Sequence, residues 1–166
     1  MSNMAFDRSW IDKFEAGGDH VAQAIRGLTR DDLLAAPPAG ENIGKWTIQQ
    51  VVLHLADSEE VHADRMKRVI AEENPTLLAF DENKWQANLY VNEQSAEDAA
   101  KLIEVTRKLM VAILRKLPDA AFERSGMHTE RGKVTLSDLI IGSAKHLEHH
   151  VKFIHAKRAA MGKEMW

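Results

Sequence analysis

Apolar residues recur along this chain at three-, four- and seven-residue intervals, the period of helices with one buried face. Phe6, Trp10, Phe14, Val21 and Ile25 make the first stripe, over residues 6 to about 26, with Gly17-Gly18 as a point of kinking or loosening. A short helical turn, Asp31 to Ala35, follows Thr29, and Pro37-Pro38 ends regular structure before a loop over residues 39–46. Thr47 is the expected N-cap of a second long helix, with Trp46 packed back on its first turn. Its stripe is Val51, Val52, Leu55, Met66, Val69 and Ile70, and Asn74-Pro75 closes it near Glu73.

Residues 75–94 form a connection longer than a simple turn needs. Phe80, Trp85 and Tyr90 give it apolar mass, either to wall a pocket at one end of a bundle or to complete the core. Ser95, with Asp98 three residues on, starts a third helix, and Pro118 stops it. Its stripe runs through Ala99, Leu102, Ile103, Val105, Leu109, Met110, Ile113, Leu114 and Leu117. It carries no histidine and reads as scaffold. Residues 118–134 contain turn signals at Gly126 and Gly132, compatible with a short extended hairpin. Thr135, paired with Asp138, opens the last long helix, which runs to about Met161 before Gly162. The sum is one all-α domain over residues 1–166, a four-helix bundle with no convincing strand content, built up-and-down or with crossover connections. The tail after Gly162, ending in Trp166, is expected to fray or to contact a second copy.

Composition narrows the chemistry. A hydrophobic fraction of 45%, a charged fraction of 28% and a net charge of -3 suit a soluble globular domain. No basic run recruits nucleic acid or an anionic membrane, and no apolar run is long enough to span a bilayer. The acidic, amphipathic N-terminus resembles neither a signal nor a transit peptide, so the expected location is cytoplasmic. With no cysteine, any metal must be held by histidine, carboxylate or water.

Four of the eight histidines fall within residues 144–158. At about 100° per residue, His146 and His150 lie one turn apart on one face, close to the line of Leu139 and Phe153. They therefore point into the bundle, where one ion can bridge them. His149 falls to one side and His155 opposite. An HxxxH pair is by itself weak evidence, so a third ligand is needed from another helix. On the second helix His54 sits at the edge of the apolar stripe, and His62 nearer its middle. Periodicity leaves both open. His20 and His128 read as structural or solvated.

Several stretches resemble the DinB/YfiT-like metalloproteins, a family distinct from the DNA polymerase that shares the name. They are Trp46-Thr47-Ile48 leading into Val52-Leu53-His54-Leu55-Ala56-Asp57-Ser58, then Phe80-Asp81-Glu82-Asn83-Lys84-Trp85, and His146-Leu147-Glu148-His149-His150-Val151. The resemblance implies a divalent metal, zinc or nickel, held by His54, His146 and His150, and it selects His54 over His62. Three imidazoles leave coordination positions open, as a catalytic site requires. Asp57 is the first choice for a general base or a partner of a ligand histidine, with Glu59 and Glu148 the other acidic candidates. The implied activity is metal-dependent transfer of a low-molecular-weight thiol to a small-molecule electrophile, that is, an S-transferase. A metal-dependent hydrolase is the close variant. A non-catalytic, metal-binding, stress-associated protein is the reading from a different class. Family members commonly form homodimers, which sets the expected assembly.

Overall fold

A computed structural model describes residues 5–40 and 43–165. Glu41 and Asn42, in the loop before the second long helix, and the terminal Trp166 lie outside the described residues. The first stripe becomes two helices, α1 (Ser9–Ala16) and α2 (His20–Ala24), joined by a 3₁₀ turn at Gly17–Asp19. The glycines thus tighten the helix instead of ending it. Gly17 is needed for close approach, because a Cβ there would stand 2.6 Å from the Arg107 guanidinium. A short α3 (Arg30–Leu34) follows. The three longest helices are α4 (Ile48–Ala71), α6 (Ala96–Leu114) and α7 (Leu136–Ala160). Between α4 and α6 the connection folds a seven-residue helix, α5 (Glu82–Asn88).

The long helices begin where cap chemistry places them. The Thr47 hydroxyl accepts from the Gln50 backbone amide at 3.1 Å, and the Gln50 side-chain oxygen accepts from the Thr47 backbone amide at 2.9 Å. Thr135 and Asp138 make the same reciprocal pair. Each box satisfies two donors that a helix start otherwise leaves bare. Ser95 accepts from the Asp98 amide at 3.0 Å.

α4 packs on both α6 and α7, and α1 lies across α6 and α7 to complete the bundle. Two apolar clusters fill it. One joins Val21, Val52, Leu55, Ile103, Leu147 and Ile154, and the other Phe14, Met66, Leu114, Phe122, Leu136 and Ile140. Burying each such side chain contributes roughly 1.5–3 kcal/mol, so the bundle interior dominates the stability. In the interior, Arg107 of α6 is 1% exposed. It makes two 3.0 Å bonds to Glu59 and donates to the carbonyls of Phe14 at 2.8 Å and Ser143 at 3.2 Å. A helix expected to be plain scaffold therefore supplies the charge that ties α1, α4 and α7 together.

Two expectations from periodicity need correction. The chain contains a small sheet, β1 (Thr76–Leu77), β2 (Ser125–His128) and β3 (Gly132–Thr135), in the order β1-β2-β3. β2 and β3 are the hairpin that the turn signals allow, whereas β1 joins in parallel from the distant connection, Thr76 opposite Met127. A two-residue strand has no alternation to read, and only its partner makes it a strand. The α6 stripe is also wider than the buried face. Val105, Leu109 and Ile113 are exposed, Leu109 by 62%, because α6 has partners on only part of its circumference. Among the described residues, no helix is long and apolar enough to cross a membrane.

Candidate metal centre

His54 sits in the most enclosed turn of α4, where residues 51–56 are all buried against α6 and α7. α7 presents His146 and His150 to it from one face. The ring centroids lie 5.1 Å (His54–His146), 4.7 Å (His54–His150) and 4.6 Å (His146–His150) apart. One nitrogen from each ring falls within 4.8 Å of the others, and the Nε2 atoms of His54 and His146 are 3.2 Å apart. Burial first, and then each histidine's imidazole neighbours, push all three pKa values down to about 4. At neutral pH the rings are therefore uncharged, with lone pairs to give. Three such donors converging on one point suit a divalent metal of borderline softness and leave room for further ligands.

The remaining histidines stand apart from this triad. His62 packs edge-on to His146 at 5.6 Å, its pKa driven to about 3, mainly by burial and then by His146. It backs the site without joining the convergent nitrogens. His128 is buried in the hairpin, where its Nδ1 accepts from the amides of Glu130 and Arg131. His149 is exposed beside Phe153, and His20 and His155 are also exposed.

The acidic residues sort as clearly. Glu59 is committed to Arg107, and Glu148 is an exposed partner of Lys152 at 3.1 Å. Asp57 is partly buried; burial, then Glu60, raises its pKa to about 6. Among the described residues, no hydrogen bond or ion pair joins Asp57 to a histidine. The carboxylate nearest the triad is Glu82, at the start of α5, whose Oε2 lies 3.6 Å from His54 Nε2. Sequence reasoning did not single it out. It lies on a short helix with no buried residues, so no periodicity points it anywhere. Its neighbours Phe80 and Trp85 were the available signal.

The long connection does wall the site. Gln49 holds it by donating to the Val91 and Gln94 carbonyls, and Gln86 by donating to the Gln50 carbonyl. Phe80 comes to 6.4 Å from His54 and 4.7 Å from Trp85, with Trp46 5.1 Å from His54 on the preceding loop. Tyr90 takes no part and is 74% exposed. Two cavities adjoin these walls. One, of about 620 Å³, lies between α4 and the connection and is lined by Val61, Arg65, Leu78, Phe80 and Trp85 among others. The other, of about 190 Å³, is lined by Lys45, Trp46, Val51, His150, Phe153 and Lys157 among others.

A helical bundle with an open cluster of three histidines defines a class of metal-binding bundle, and comparison with known proteins gives it a family. The DinB superfamily profile matches residues 13–154, and the chain belongs to that superfamily. A protein of Oceanobacillus iheyensis named "putative metal-dependent hydrolase" is 38% identical over 111 residues, 67% of this chain and 64% of that protein's length. The match thus spans less than two thirds of that relative. A Bacillus mycoides protein carrying the same description is 30% identical over 149 residues, 90% of this chain and 83% of its own. Among solved structures, YfiT from Bacillus subtilis, described as "a probable metal-dependent hydrolase with an unusual four-helix bundle topology", superposes with a TM-score of 0.83. It is 28% identical, over 93% of this chain and 86% of YfiT. A mycothiol-dependent maleylpyruvate isomerase shares the fold at a TM-score of 0.67 and 13% identity, over 89% of this chain and 60% of that one.

Proposed function

We propose that this chain is a divalent-metal-dependent enzyme in which His54, His146 and His150 hold zinc or nickel. The site would activate a small nucleophile for attack on a small-molecule electrophile. The observation that carries this reading is the convergence of three uncharged imidazoles, one of which, His150, lines a cavity. When bound, the metal supplies Lewis acidity that lowers the pKa of a thiol or a water. The favoured nucleophile is a low-molecular-weight thiol, giving S-transfer, because two separate cavities share the walling aromatics, Phe80 and Trp85 in one and Trp46 in the other, and a transferase has two organic partners to seat.

The chain's own residues do the rest. Burial keeps the three rings unprotonated at neutral pH, so they are available as ligands. Trp46 and Phe80 limit water at His54. Glu82 is placed to take the proton that the nucleophile loses, while the sulfur pair bonds to the electrophilic carbon. The leaving group departs with its bonding pair and receives that proton. Asp57, raised to about 6, is the alternative base, since a group titrating near neutrality exchanges protons readily.

Hydrolysis is the second reading. It is favoured by the carboxylate of Glu82 beside the His54 nitrogen, as a water nucleophile requires a base, and by the names of the relatives. The two readings part in one assay. Zinc- or nickel-loaded protein is given 1-chloro-2,4-dinitrobenzene or p-nitrophenyl acetate, with and without 2-mercaptoethanol. S-transfer predicts thiol-dependent product that disappears in His150→Ala; hydrolysis predicts metal-dependent ester cleavage without thiol. Metal uptake with no turnover on wider panels would leave a non-catalytic metal-binding protein.

We also propose a homodimer. Val105, Leu109 and Ile113 share an exposed apolar stripe on α6 that an isolated chain leaves in water. Light scattering at micromolar concentration should give twice the chain mass for wild type and a shift toward monomer for Leu109→Lys. A monomeric wild type would rule the dimer out.

A further inference from the structure

The smaller cavity holds an unusual cation. Lys157 of α7 is only 2% exposed, although lysine is almost never fully buried without a partner. Its ammonium donates to the carbonyl of Ile43 and, at 3.5 Å, to that of Gly44. Among the described residues, no carboxylate pairs with it. An ammonium has three donors and a full charge, and carbonyls satisfy only part of both. The phenyl ring of Phe153 lies 5.8 Å away, Val51 and Trp46 add apolar wall, and Lys45 brings a second cation to the lining. Gly44, at φ +74°, lets the loop turn close over the slot; a Cβ there would meet the Lys157 Nζ at 3.5 Å and the Phe153 ring at 3.9 Å. The same slot is also lined by His150.

We propose that this slot is a carboxylate subsite, in which Lys157 anchors the anionic end of a small substrate or co-substrate whose reactive end then lies at His150. At about 190 Å³ the slot is smaller than the pockets of drug-sized ligands, so it takes a compact molecule or one end of a larger one. An ammonium desolvated among Val51, Trp46 and Phe153 favours an anion over a neutral group of equal shape, because the anion supplies both the missing acceptor and the missing charge. The subsite sets which molecules enter; the chemistry remains at the histidines. The reactive end's position rests on the metal-enzyme reading, but the anchor itself does not.

The test can therefore be run with and without metal. Calorimetric titration of the metal-free and zinc-loaded full chain uses 3-phenylpropionate and its neutral analogue 3-phenylpropan-1-ol. The acid should bind about tenfold more tightly than the alcohol in both forms. The preference should vanish in Lys157→Gln and return in Lys157→Arg. Because Lys157 also holds the 43–44 loop, wild-type competition supplies a second reading that needs no variant. Sodium acetate should weaken binding of the acid more than sodium chloride does at equal ionic strength, and leave the alcohol unaffected. Equal affinities for the two probes, no binding of the acid, or a preference that survives Lys157→Gln, with or without zinc, would each overturn the proposal. Zinc content, measured separately on the same samples, reports on the metal site, so loss of one reading is distinguishable from loss of the other.

Discussion

The interior carries two polar constellations, built from the same helices and opposite in character. Around Arg107, bonds reach Glu59 twice, the Phe14 carbonyl and Ser143. A charge that costs several kcal/mol to desolvate is met by an opposite charge and by carbonyls. Around His54, burial is just as deep, but the groups facing it are two further imidazoles and, at 3.6 Å, the half-exposed carboxylate of Glu82. Burial outweighs that one carboxylate, and the rings stay neutral. The lesson is that a buried charge met by an opposite charge and by carbonyls works as a joint. A cluster in which neutral imidazoles converge on a single point is suited to a ligand that is not protein.

Four experiments press on that contrast. The largest effect is expected at the triad. Removing one imidazole by His54→Ala should lower bound zinc or nickel from about one equivalent to none, as read by mass spectrometry on untagged protein, while helical circular dichroism persists. Retained metal would move the centre elsewhere. At the joint the outcome reverses. Arg107→Ala leaves Glu59 buried and unpaired and should cost about 3–5 kcal/mol of stability by chemical denaturation. Its folded fraction should still take up metal. A loss of metal with no loss of stability would show that the two regions are not independent.

The third experiment concerns the carboxylates. Glu82→Gln should retain metal and reduce turnover by about 10²-fold or more, the usual worth of a positioned proton acceptor. If Asp57→Asn gives the large decrease and Glu82→Gln does not, the base is Asp57.

The smallest effect is on pH dependence of the metal-free fold. His54, His146 and His150 are held near 4, and His62 near 3, against an ordinary 6.5. The unfolded chain therefore binds protons below about 6.5 that the folded chain refuses, and stability present above that pH is lost as pH falls toward 4. Asp57, raised from 3.8 to about 6, and Glu59, raised by burial against the opposing pull of Arg107, act in the other direction. Four imidazoles outweigh two carboxyls, so the melting temperature of the metal-free protein should be lower at pH 5 than at pH 7.5. An equal or higher value at pH 5 would contradict the burial of the rings.

The sequence alone was enough for the long helices and for bringing His146 and His150 to one face. Thr47, Ser95 and Thr135 start α4, α6 and α7 by local hydrogen bonds, and a 3.6-residue period is a property of neighbours along the chain. The i, i+4 placement of His146 and His150 is equally local, since one helical turn puts both rings on one face. Periodicity could not choose between His54 and His62, because that choice depends on how α4 is rotated against α7. Nor could it find Glu82, Lys157 or the role of Arg107. Glu82 reaches His54 only through the fold of the 75–94 connection, and Lys157 gains its enclosure from the loop at Gly44. Arg107 meets Glu59 across 48 residues of chain. β1 likewise exists only because Met127 and His128 lie beside it. In each case the deciding contact is between segments far apart in sequence, where helix packing, and not local propensity, sets which groups meet.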